Sequence, residues 1–202
     1  IKKAFVSSGI RYDLFSAKLS ARFPENNDYL FQIMQRHVSG RLKVAPEHTS
    51  EPVLKLMRKP SFSLFKKLKV DFDGINKTLS SKLQLIPYFI SSHPGCELTD
   101  MLDLSLETQK LRYQLKQVQD FTPTPLTLAT TIYHTGFHPK DFKKVYVAKK
   151  KNDKAEQRRV FFWYLTKNRI WFNGLKKKIK KSRKKKKIKK RKRLRVRNNI
   201  KK

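Results

Sequence analysis

The sequence predicts an α/β fold in which parallel strands alternate with helices. Short apolar runs begin at Ala4, Leu42, Leu83 and Leu115, and polar turn residues end each run. A stretch with helical spacing of apolar residues lies between successive runs. Strands separated by helices pair in parallel through right-handed crossovers. Four such units correspond to half of an eight-stranded barrel.

Composition narrows the class of protein. The 202 residues carry a formal net charge of +34, much of it after Leu175. No secretory signal or transmembrane run is recognisable and there is one cysteine, so we expect a cytoplasmic protein without a membrane partner. A single cysteine cannot form an internal disulfide or hold a cluster alone, and no metal site is predicted. Residue 1 is Ile, which suggests a start inside a longer reading frame or a trimmed chain.

The first predicted strand, Ala4 to Ser8, ends beside Gly9 and Arg11. Glycine lets a ligand approach the backbone closely, and arginine offers a planar fork for a carboxylate. This strand end therefore suits a polar or anionic ligand. The alternative is that Arg11 forms a surface salt bridge.

The second unit is the most informative stretch. Leu42 to Ala45 is predicted as a buried strand that ends at Pro46, because proline has no N–H to donate. Glu47 and His48 form the following turn, and Ser50 is the expected N-cap of a short helix. Ligands of parallel α/β folds lie at the carboxyl ends of strands, which places Glu47 and His48 at a site.

The third unit places another histidine at a strand end. The strand is predicted from Leu83 to Ile90, with Pro87 accommodated by a bulge. His93 follows two serines and precedes Gly95, so it is a candidate site residue or an ordinary loop histidine. Cys96 is expected to be a small, partly buried residue without an activated thiol.

The fourth predicted strand runs from Leu115 to Phe121 and leads into a turn rich in threonine and proline. Gln119 and Asp120 cannot both face a dry core, so at least one is expected at the open end of the sheet. Helices are expected at 62–72, 97–113 and 153–171, where apolar residues recur at helical spacing.

The basic C-terminus differs from the rest of the chain. Three regions are predicted: the strand–helix units over 1–147, a helical extension over 148–174 and a Lys/Arg-rich tail over 175–202. Like charges repel at this density and the tail has no apolar face wide enough to bury, so we expect disorder or a frayed helix. It could contact nucleic-acid phosphates nonspecifically, or remain a solvated tail.

Four long blocks carry a resemblance to a known family. They are SGIRYD, HVSGRLKVAPEHTSEPVLKLMRKP, LIPYFISSHPG and QVQDFTPTPLTLATTIYHTGFHP, beginning at Ser8, His37, Leu85 and Gln117. In order and spacing they resemble the later part of the YgiQ family of radical S-adenosylmethionine proteins, over roughly residues 1–165. The resemblance implies the C-terminal half of a TIM-like barrel. It also implies a [4Fe-4S] cluster and reductive cleavage of S-adenosylmethionine to a 5′-deoxyadenosyl radical, with no established substrate.

The resemblance also implies roles for individual residues. Ser8 and Arg11 would lie near the ribose or the methionine carboxylate, the backbone around Val44 and Ala45 near the adenine, and His93 on the adenine side. The full set implied to contact S-adenosylmethionine is Ser8, Arg11, Lys43, Val44, Ala45, Glu47, His48, Ser92 and His93. Gln119, Thr124 and Thr127 would face the substrate.

The chain departs from the family pattern in several places. The CxxxCxxC motif that holds the cluster is absent, and Cys96 is not a substitute. Leu126 stands where many members have glycine, and the lysine-rich tail does not look like the family's C-terminus. The chain is therefore expected to be a fragment of a radical enzyme, inactive without the N-terminal half of the barrel as its partner. The alternatives are a stand-alone basic protein that binds RNA or DNA, and a non-functional remnant.

Overall fold

The computed structural model describes residues 4–15 and 29–199. A 3-10 turn covers Tyr12–Phe15, and ten further elements follow in chain order. These are α1 (Tyr29–Arg36), β1 (Arg41–Glu47), α2 (Glu51–Leu56), α3 (Phe62–Thr78), β2 (Gln84–Ser91), α4 (Leu98–Lys110), β3 (Gln119–Asp120), α5 (Leu128–Thr135), α6 (Lys151–Phe161) and α7 (Thr166–Asn199).

The three strands form one parallel sheet in the order β1-β2-β3. Leu42 lies opposite Leu85, and Ile90 lies opposite Gln119. Helices α2 and α3 separate β1 from β2, and α4 separates β2 from β3. The predicted α/β class with parallel strands alternating with helices is confirmed over these units.

The first predicted strand is much reduced in the structure. Residues 4–9 have no strand conformation, and only Ile10 makes a parallel bridge to Val44. The Ile10 N–H donates to the Lys43 carbonyl at 3.1 Å. The segment therefore lies along the free edge of β1, as expected of the first unit. The paired part is a single residue, Ile10, two residues after the end of the predicted strand.

The two strand prolines behave differently from expectation. Strand β1 continues through Pro46 to Glu47, and its register with β2 shifts between Val44 and Glu47. The bulge therefore lies at Pro46 and not at Pro87. A bulged residue is left out of the ladder, so the missing N–H of Pro46 breaks no regular pairing.

Pro87 is tolerated in β2 because its side of the strand has no partner there. The Gln84 N–H donates to the Gly40 carbonyl at the start of β1. On the other side, the Ser91 carbonyl accepts from the Phe121 N–H. Backbone groups alternate sides along a parallel strand, so Pro87 faces the same way as Ser91. Because β3 pairs only with Ile90 and Ser91, no N–H is needed at Pro87.

The fourth predicted strand shrinks to Gln119–Asp120. Residues 115–118 form an irregular segment in which Val118 is buried and Leu115 packs against the core. Apolar character alone therefore mispredicted the strand start, because these side chains are buried without pairing to β2.

One face of the sheet is covered and the other is half-open. Along β1 and β2 the side chains that face the helices are buried: Leu42, Val44, Pro46, Leu85, Pro87 and Phe89. The alternate side chains are only partly covered: Lys43, Ala45, Glu47, Ile86, Tyr88 and Ile90. In a closed barrel this second face would point inward. The described sheet therefore has one packed layer and one incompletely covered apolar face.

Helices α3 and α4 build the covered layer. Helix α3 carries the predicted stripe of Phe62, Phe65, Leu68 and Phe72, all buried, and extends to Thr78. The Ser61 hydroxyl caps it by accepting from the Ser63 N–H at 3.3 Å. The predicted helix at 97–113 is observed as α4, whose Met101, Leu102 and Leu104 lie in the same core.

The single helix predicted at 153–171 is two helices. Helix α6 ends at Phe161, and α7 begins at Thr166. The Asn168 side chain donates to the Phe162 carbonyl at 2.9 Å, which satisfies a backbone group at the break. Val160, Phe161 and Phe172 join the main core, so this region packs against the strand–helix units.

The basic tail is helical as far as Asn199, where the sequence predicted disorder or a frayed helix. Helix α7 continues without interruption to Asn199. Leu175 and Ile179 pack against the core, and the Arg183 guanidinium makes two bonds to Asp103 on α4, at 2.9 and 2.7 Å. The first turns of the tail therefore have a packing face, which the sequence pattern hid among lysines.

None of the helices in the described ranges is both long and apolar enough to span a bilayer.

Candidate functional site

Two clefts lie side by side at the carboxyl ends of the strands. The first, here called the His93 cleft, has a volume of about 530 Å³ and is lined by residues that include Glu47, His93, Asp120 and Thr127. The second, the Arg11 cleft, has a volume of about 540 Å³ and is lined by residues that include Arg11 and Ala45. Arg58 and Lys59 line both clefts. The strand ends thus form one polar edge, as predicted.

The loop after β2 presents His93 to the first cleft. The side chain is 4% exposed, and its Nδ1 lies 2.9 Å from the Pro94 carbonyl. A carbonyl can only accept, so Nδ1 carries the proton and Nε2 is left as an acceptor. Nε2 has no hydrogen-bond partner among the residues at 4–15 and 29–199. Burial lowers the pKa of His93 and so favours the neutral ring, while the bond to the Pro94 carbonyl acts in the opposite direction.

The Phe121 ring and Gly95 fix the position of the loop after β2. The Phe121 ring, after β3, meets the His93 ring edge-on with centroids 4.9 Å apart. Gly95 has φ of +84°, and a Cβ added there would lie 2.5 Å from the Leu56 side chain. Any other residue at position 95 would be strained by the backbone angle, and the Leu56 side chain would have to shift.

His48, after β1, is not in the open site. It is fully buried, and its Nδ1 accepts from the Ser50 N–H at 2.9 Å. Its Nε2 lies 3.4 Å from the sulfur of Cys96. Burial, with the nearby His93 ring, lowers the pKa of His48 to about 3. The prediction that His48 contacts a cofactor is not supported by this placement, because both ring nitrogens already have protein partners.

Cys96 and Gln157 complete a buried polar cluster with His48. The Cys96 thiol is fully buried, not partly buried as predicted, and burial raises its pKa well above the usual range. Gln157, on α6, accepts from the Ser92 N–H at 2.8 Å and donates to the Cys96 carbonyl at 2.8 Å. Its Oε1 also lies 3.3 Å from the Cys96 sulfur.

The bonds in this cluster have one consistent set of proton positions. His48 is neutral and Nδ1 accepts, so its proton lies on Nε2, directed at the Cys96 sulfur. The Cys96 S–H is then free to donate to Oε1 of Gln157. We therefore assign the cluster a structural function: it ties α6 to the loops after β1 and β2. Gln157 was missed by sequence reasoning, because a glutamine in a charged helix has no distinctive spacing.

The residues predicted at the first strand end lie at the surface. The Arg11 side chain is 75% exposed and pairs with Asp13, and its hydrogen bond lowers the pKa of that carboxyl. The alternative of a surface salt bridge is thus what the structure shows, although Arg11 lines the second cleft. Ser8 is exposed, beside Gly9. The S-adenosylmethionine contacts of Ser8 and Arg11 stay predictions.

The predicted residues of β1 divide between the two faces of the sheet. Val44 is fully buried among the helices, so only its backbone could meet a ligand. Lys43 is half-buried on the open face and donates to the Ser7 carbonyl at 3.3 Å. Ala45 shares that face and lines the Arg11 cleft. Glu47 forms a 3.2 Å ion pair with Lys59 between the clefts.

Arg58 and Lys59 were not predicted as site residues. The chain turns back after α2 because Arg58 adopts a left-handed backbone with φ of +54°. That turn brings both cations over the end of β1. The signal available in the sequence was the basic pair directly before Pro60, where a helix must end.

The third strand end supplies the far wall of the His93 cleft. Asp120 accepts from Ser91 Oγ and from Arg158 on α6, the latter at 3.2 Å. Gln119, Thr124 and Thr127 all line the cleft. However, the Thr127 hydroxyl caps α5 by accepting from the Thr130 N–H at 3.2 Å. The structure thus brings the three residues predicted to face the substrate into one cleft with His93.

Two residues at this edge combine uncommon backbone angles with strand ends. Glu47 has φ of +66° and Ser92 has φ of +61°. The buried Ser92 hydroxyl also has no hydrogen-bond partner among the described residues. Backbone strain and unpaired polar atoms are concentrated at functional sites, so both features favour a site at this edge.

No group of three His, Cys, Asp or Glu residues that could hold a metal ion occurs within 4–15 or 29–199.

Comparison with known proteins identifies relatives for most of the chain. It is 51% identical over 171 residues to a UPF0313 protein of Bacteroides thetaiotaomicron, which covers 84% of this chain and 28% of that protein. It is 50% identical over 166 residues to one of Porphyromonas gingivalis, covering 81% and 26%. This chain is similar to part of a UPF0313 protein. UPF0313 is the YgiQ family, so the similarity to YgiQ proteins that the four blocks indicated is found again in these relatives.

The similarity is broad but partial. A UPF0313 protein of Methanocella arvoryzae is 44% identical over 161 residues, covering 80% of the chain and 25% of that protein. The chain therefore spans about a quarter of the length of the curated relatives it matches. No solved structure matches it.

A second match bears on the C-terminus. Residues 116–194 match a family described as a domain of unknown function, DUF3362. The match begins before β3, includes Gln157 and continues through most of the basic helix. Residues 175–194 of the basic tail therefore lie within this matched domain pattern.

Proposed function

We propose that this chain supplies part of the S-adenosylmethionine-binding barrel of a radical enzyme, with the His93 and Arg11 clefts as the binding edge. The observation that carries the proposal is the convergence of predicted residues from three strand ends on these adjoining clefts. Carboxyl ends of parallel strands are the usual location of ligand sites in such folds.

The chemistry of the clefts suits this ligand. S-adenosylmethionine has an ammonium, a carboxylate, a sulfonium, two ribose hydroxyls and an adenine. The His93 cleft offers carboxylates at Glu47 and Asp120, cations at Arg58 and Lys59, and apolar lining around Ile90. A volume of about 530 Å³ is within the range of small-molecule sites. The acceptor nitrogen of His93 could receive a hydrogen bond from an amino or hydroxyl group.

The open face of the sheet supports the proposal that further strands, from another part of the protein, complete a barrel. Ile86, Tyr88 and Ile90 are partly exposed on that face, and among the described residues β1 has a single bridge on its free edge. Unpaired edges and uncovered apolar faces favour further strands. We propose that the N-terminal half of the barrel is the partner of this face, and that the assembly is cytoplasmic.

The residues present do not fit a [4Fe-4S] cluster. Cluster ligands are thiolates, whereas the only cysteine is buried, has a raised pKa and bonds to Gln157 and His48. Among the described residues no other group of potential ligands is gathered. The proposal therefore assigns this chain the binding of S-adenosylmethionine and assigns cluster ligation to residues outside it.

The test uses a chimera. This chain replaces the 171 matched residues of the Bacteroides relative, giving a protein of full length, and S-adenosylmethionine binding is measured by calorimetry under anaerobic conditions. We expect binding, and about a tenfold weaker affinity for Arg58→Ala and His93→Ala. Arg11→Ala is expected to weaken binding less, since Arg11 is paired with Asp13.

Lys67→Ala is the matched control, because Lys67 is an exposed cation on α3 away from both clefts. Thermal melts of every variant show whether the fold is retained. Absence of binding in a folded chimera, or equal affinity for all four variants, would remove the clefts from the proposal.

A further inference from the structure

A third cleft lies away from the edge formed by the strand ends. It has a volume of about 830 Å³ and is here called the basic cleft; its lining includes Lys116, Arg158, Arg159, Phe162, Tyr164 and Lys167. It occupies the break between α6 and α7 and shares no lining residue with the His93 or Arg11 clefts.

The positive charge in the basic cleft is largely uncompensated. Arg158 pairs with Asp120 at 3.2 Å, but no carboxylate within the described ranges pairs with Lys116, Arg159 or Lys167. Arg159 instead stacks on the Trp171 ring, with its guanidinium carbon 4.5 Å from the ring centroid. Four cations around one cavity favour an anionic ligand.

The cleft also has an apolar and aromatic wall. Phe162 and Tyr164 are half-buried, and Leu165 is 37% exposed. The Tyr164 hydroxyl donates to the Leu115 carbonyl at 2.7 Å, which holds the ring in place. Cations beside partly exposed aromatic rings are the combination that holds a phosphate and a base together.

Helix α7 extends the charge away from this cleft. It starts at Thr166, next to the lining residue Lys167, and its 34 residues would span about 50 Å. From Leu175 to Asn199 most residues are Lys or Arg, and none is acidic. The start of this stretch is held by the packing of Leu175 and Ile179 against the core and by the ion pair of Arg183 with Asp103.

We propose that the basic cleft and α7 form one surface that binds single-stranded nucleic acid, with a base in the cleft and phosphates along the helix. Closely spaced cations over this length match a polymer with regularly spaced negative charge. Membrane surfaces fit less well, because binding in the interface requires a broad apolar face. Helix α7 has only scattered aliphatic residues beyond Ile179. This inference does not depend on the proposed binding of S-adenosylmethionine.

The experiment measures binding of fluorescent 20-nucleotide RNA and DNA strands to the complete 202-residue chain by anisotropy across a salt series. The cleft variant is Lys116→Ala with Lys167→Ala. The matched variant, Lys55→Ala with Lys67→Ala, removes the same charge from exposed positions on α2 and α3. A third variant ends after Arg183 and so keeps the anchoring contacts of α7.

We expect the cleft variant to bind about tenfold more weakly and the matched variant to change less than twofold. Loss of two phosphate contacts should reduce the slope of log K against log salt by about 1.4. The chain ending after Arg183 should lose most of the slope. Ultraviolet crosslinking should join the strand to the peptide containing Phe162 and Tyr164.

Equal losses in the cleft and matched variants would overturn the proposal, since only net charge would then matter. Equal affinity for a strand carrying abasic sites would overturn the placement of a base in the cleft. Tighter binding to a duplex, to heparin or to anionic lipid vesicles would overturn the choice of partner.

Discussion

The loops after β1 and β2 use the same residue types in opposite ways. At each strand end a residue of positive φ, Glu47 or Ser92, is followed directly by a histidine. His48 is fully buried with both ring nitrogens engaged, whereas His93 keeps an acceptor nitrogen at the wall of a cleft. A strand-end position therefore does not decide whether a histidine belongs to a site.

The difference arises from the direction of each side chain. His48 lies on the covered side of the sheet, like Leu42 and Val44. There α6 provides Gln157, and the loop after β2 provides Cys96. His93 instead meets Phe121 from the third strand end and stays at the cleft. The first histidine stabilises the edge and the second is available for a ligand.

The largest expected effect is on stability at acidic pH. Burial holds the pKa of His48 at about 3, while an unfolded chain has the usual value near 6.5. Below about pH 6.5 the unfolded state therefore binds more protons, and stability falls by about 1.4 kcal/mol per pH unit as pH approaches 3. Above that range this contribution is fully present. Urea unfolding of wild type and His48→Gln between pH 7 and pH 4 should show a shallower dependence in the variant.

His93→Gln is the comparison for that titration. Burial also lowers the pKa of His93, so its replacement acts in the same direction. Because His93 is less completely enclosed, we expect a smaller change in slope. An equal or greater change for His93→Gln would show that the two loops do not differ as described.

The next effect concerns the residue that joins α6 to both loops. Gln157→Ala leaves the Ser92 N–H and the Cys96 carbonyl without partners and opens a small cavity. We expect the free energy of unfolding to fall by about 3 kcal/mol in denaturant melts. The control Gln114→Ala, at an exposed loop position, should change it by less than about 0.5 kcal/mol. A loss below about 1 kcal/mol for Gln157→Ala would contradict the structural function of the cluster.

A third prediction tests the strained backbone at Ser92. Ser92→Gly relieves a φ of +61° and removes a buried hydroxyl without a partner among the described residues. We expect it to raise the free energy of unfolding by about 1 kcal/mol and to weaken S-adenosylmethionine binding in the chimera. The control Arg112→Gly replaces a residue with a similar angle, +59°, at an exposed position outside the lining of both clefts, and should stabilise by about 0.5 kcal/mol without affecting affinity. Destabilisation by Ser92→Gly would mean that its hydroxyl contributes to the fold.

The smallest effect is expected at the first strand end. Arg11 and Asp13 form an exposed ion pair, and such pairs contribute little to stability. Arg11→Ala should therefore leave the unfolding midpoint unchanged, at both low and high salt. A clear drop at low salt alone would show that the pair orders the segment along β1.

Much of the fold could be predicted because the local spacing of apolar residues indicates which segments form strands and helices. The runs that became β1 and β2, and the stripes of α3 and α4, have the periodicity of their elements. The incorrect strand predictions fall where pairing with a neighbouring strand decides whether a strand forms. Ala4 to Ser8 and Leu115 to Val118 are apolar enough for strands, yet they have no neighbour to pair with over most of their length.

The candidate site was predicted in outline and not in detail. His93, Gln119, Thr124 and Thr127 line one cleft as expected, because they follow neighbouring parallel strands. Arg58 and Lys59 were missed, because only the left-handed turn at Arg58 brings them over the edge. His48 was predicted as a ligand contact because its burial depends on Cys96 and Gln157, which are distant in sequence.

The sequence by itself determined the α/β class, the relation to UPF0313 proteins and the edge of the sheet where polar residues gather. These properties depend on residue order and periodicity, which a linear chain displays directly. Tertiary structure alone decided which histidine is fully buried and where the basic helix α7 contacts the rest of the protein. Both depend on contacts between distant residues, such as Arg183 with Asp103, whose free energy appears only when the chain brings them together.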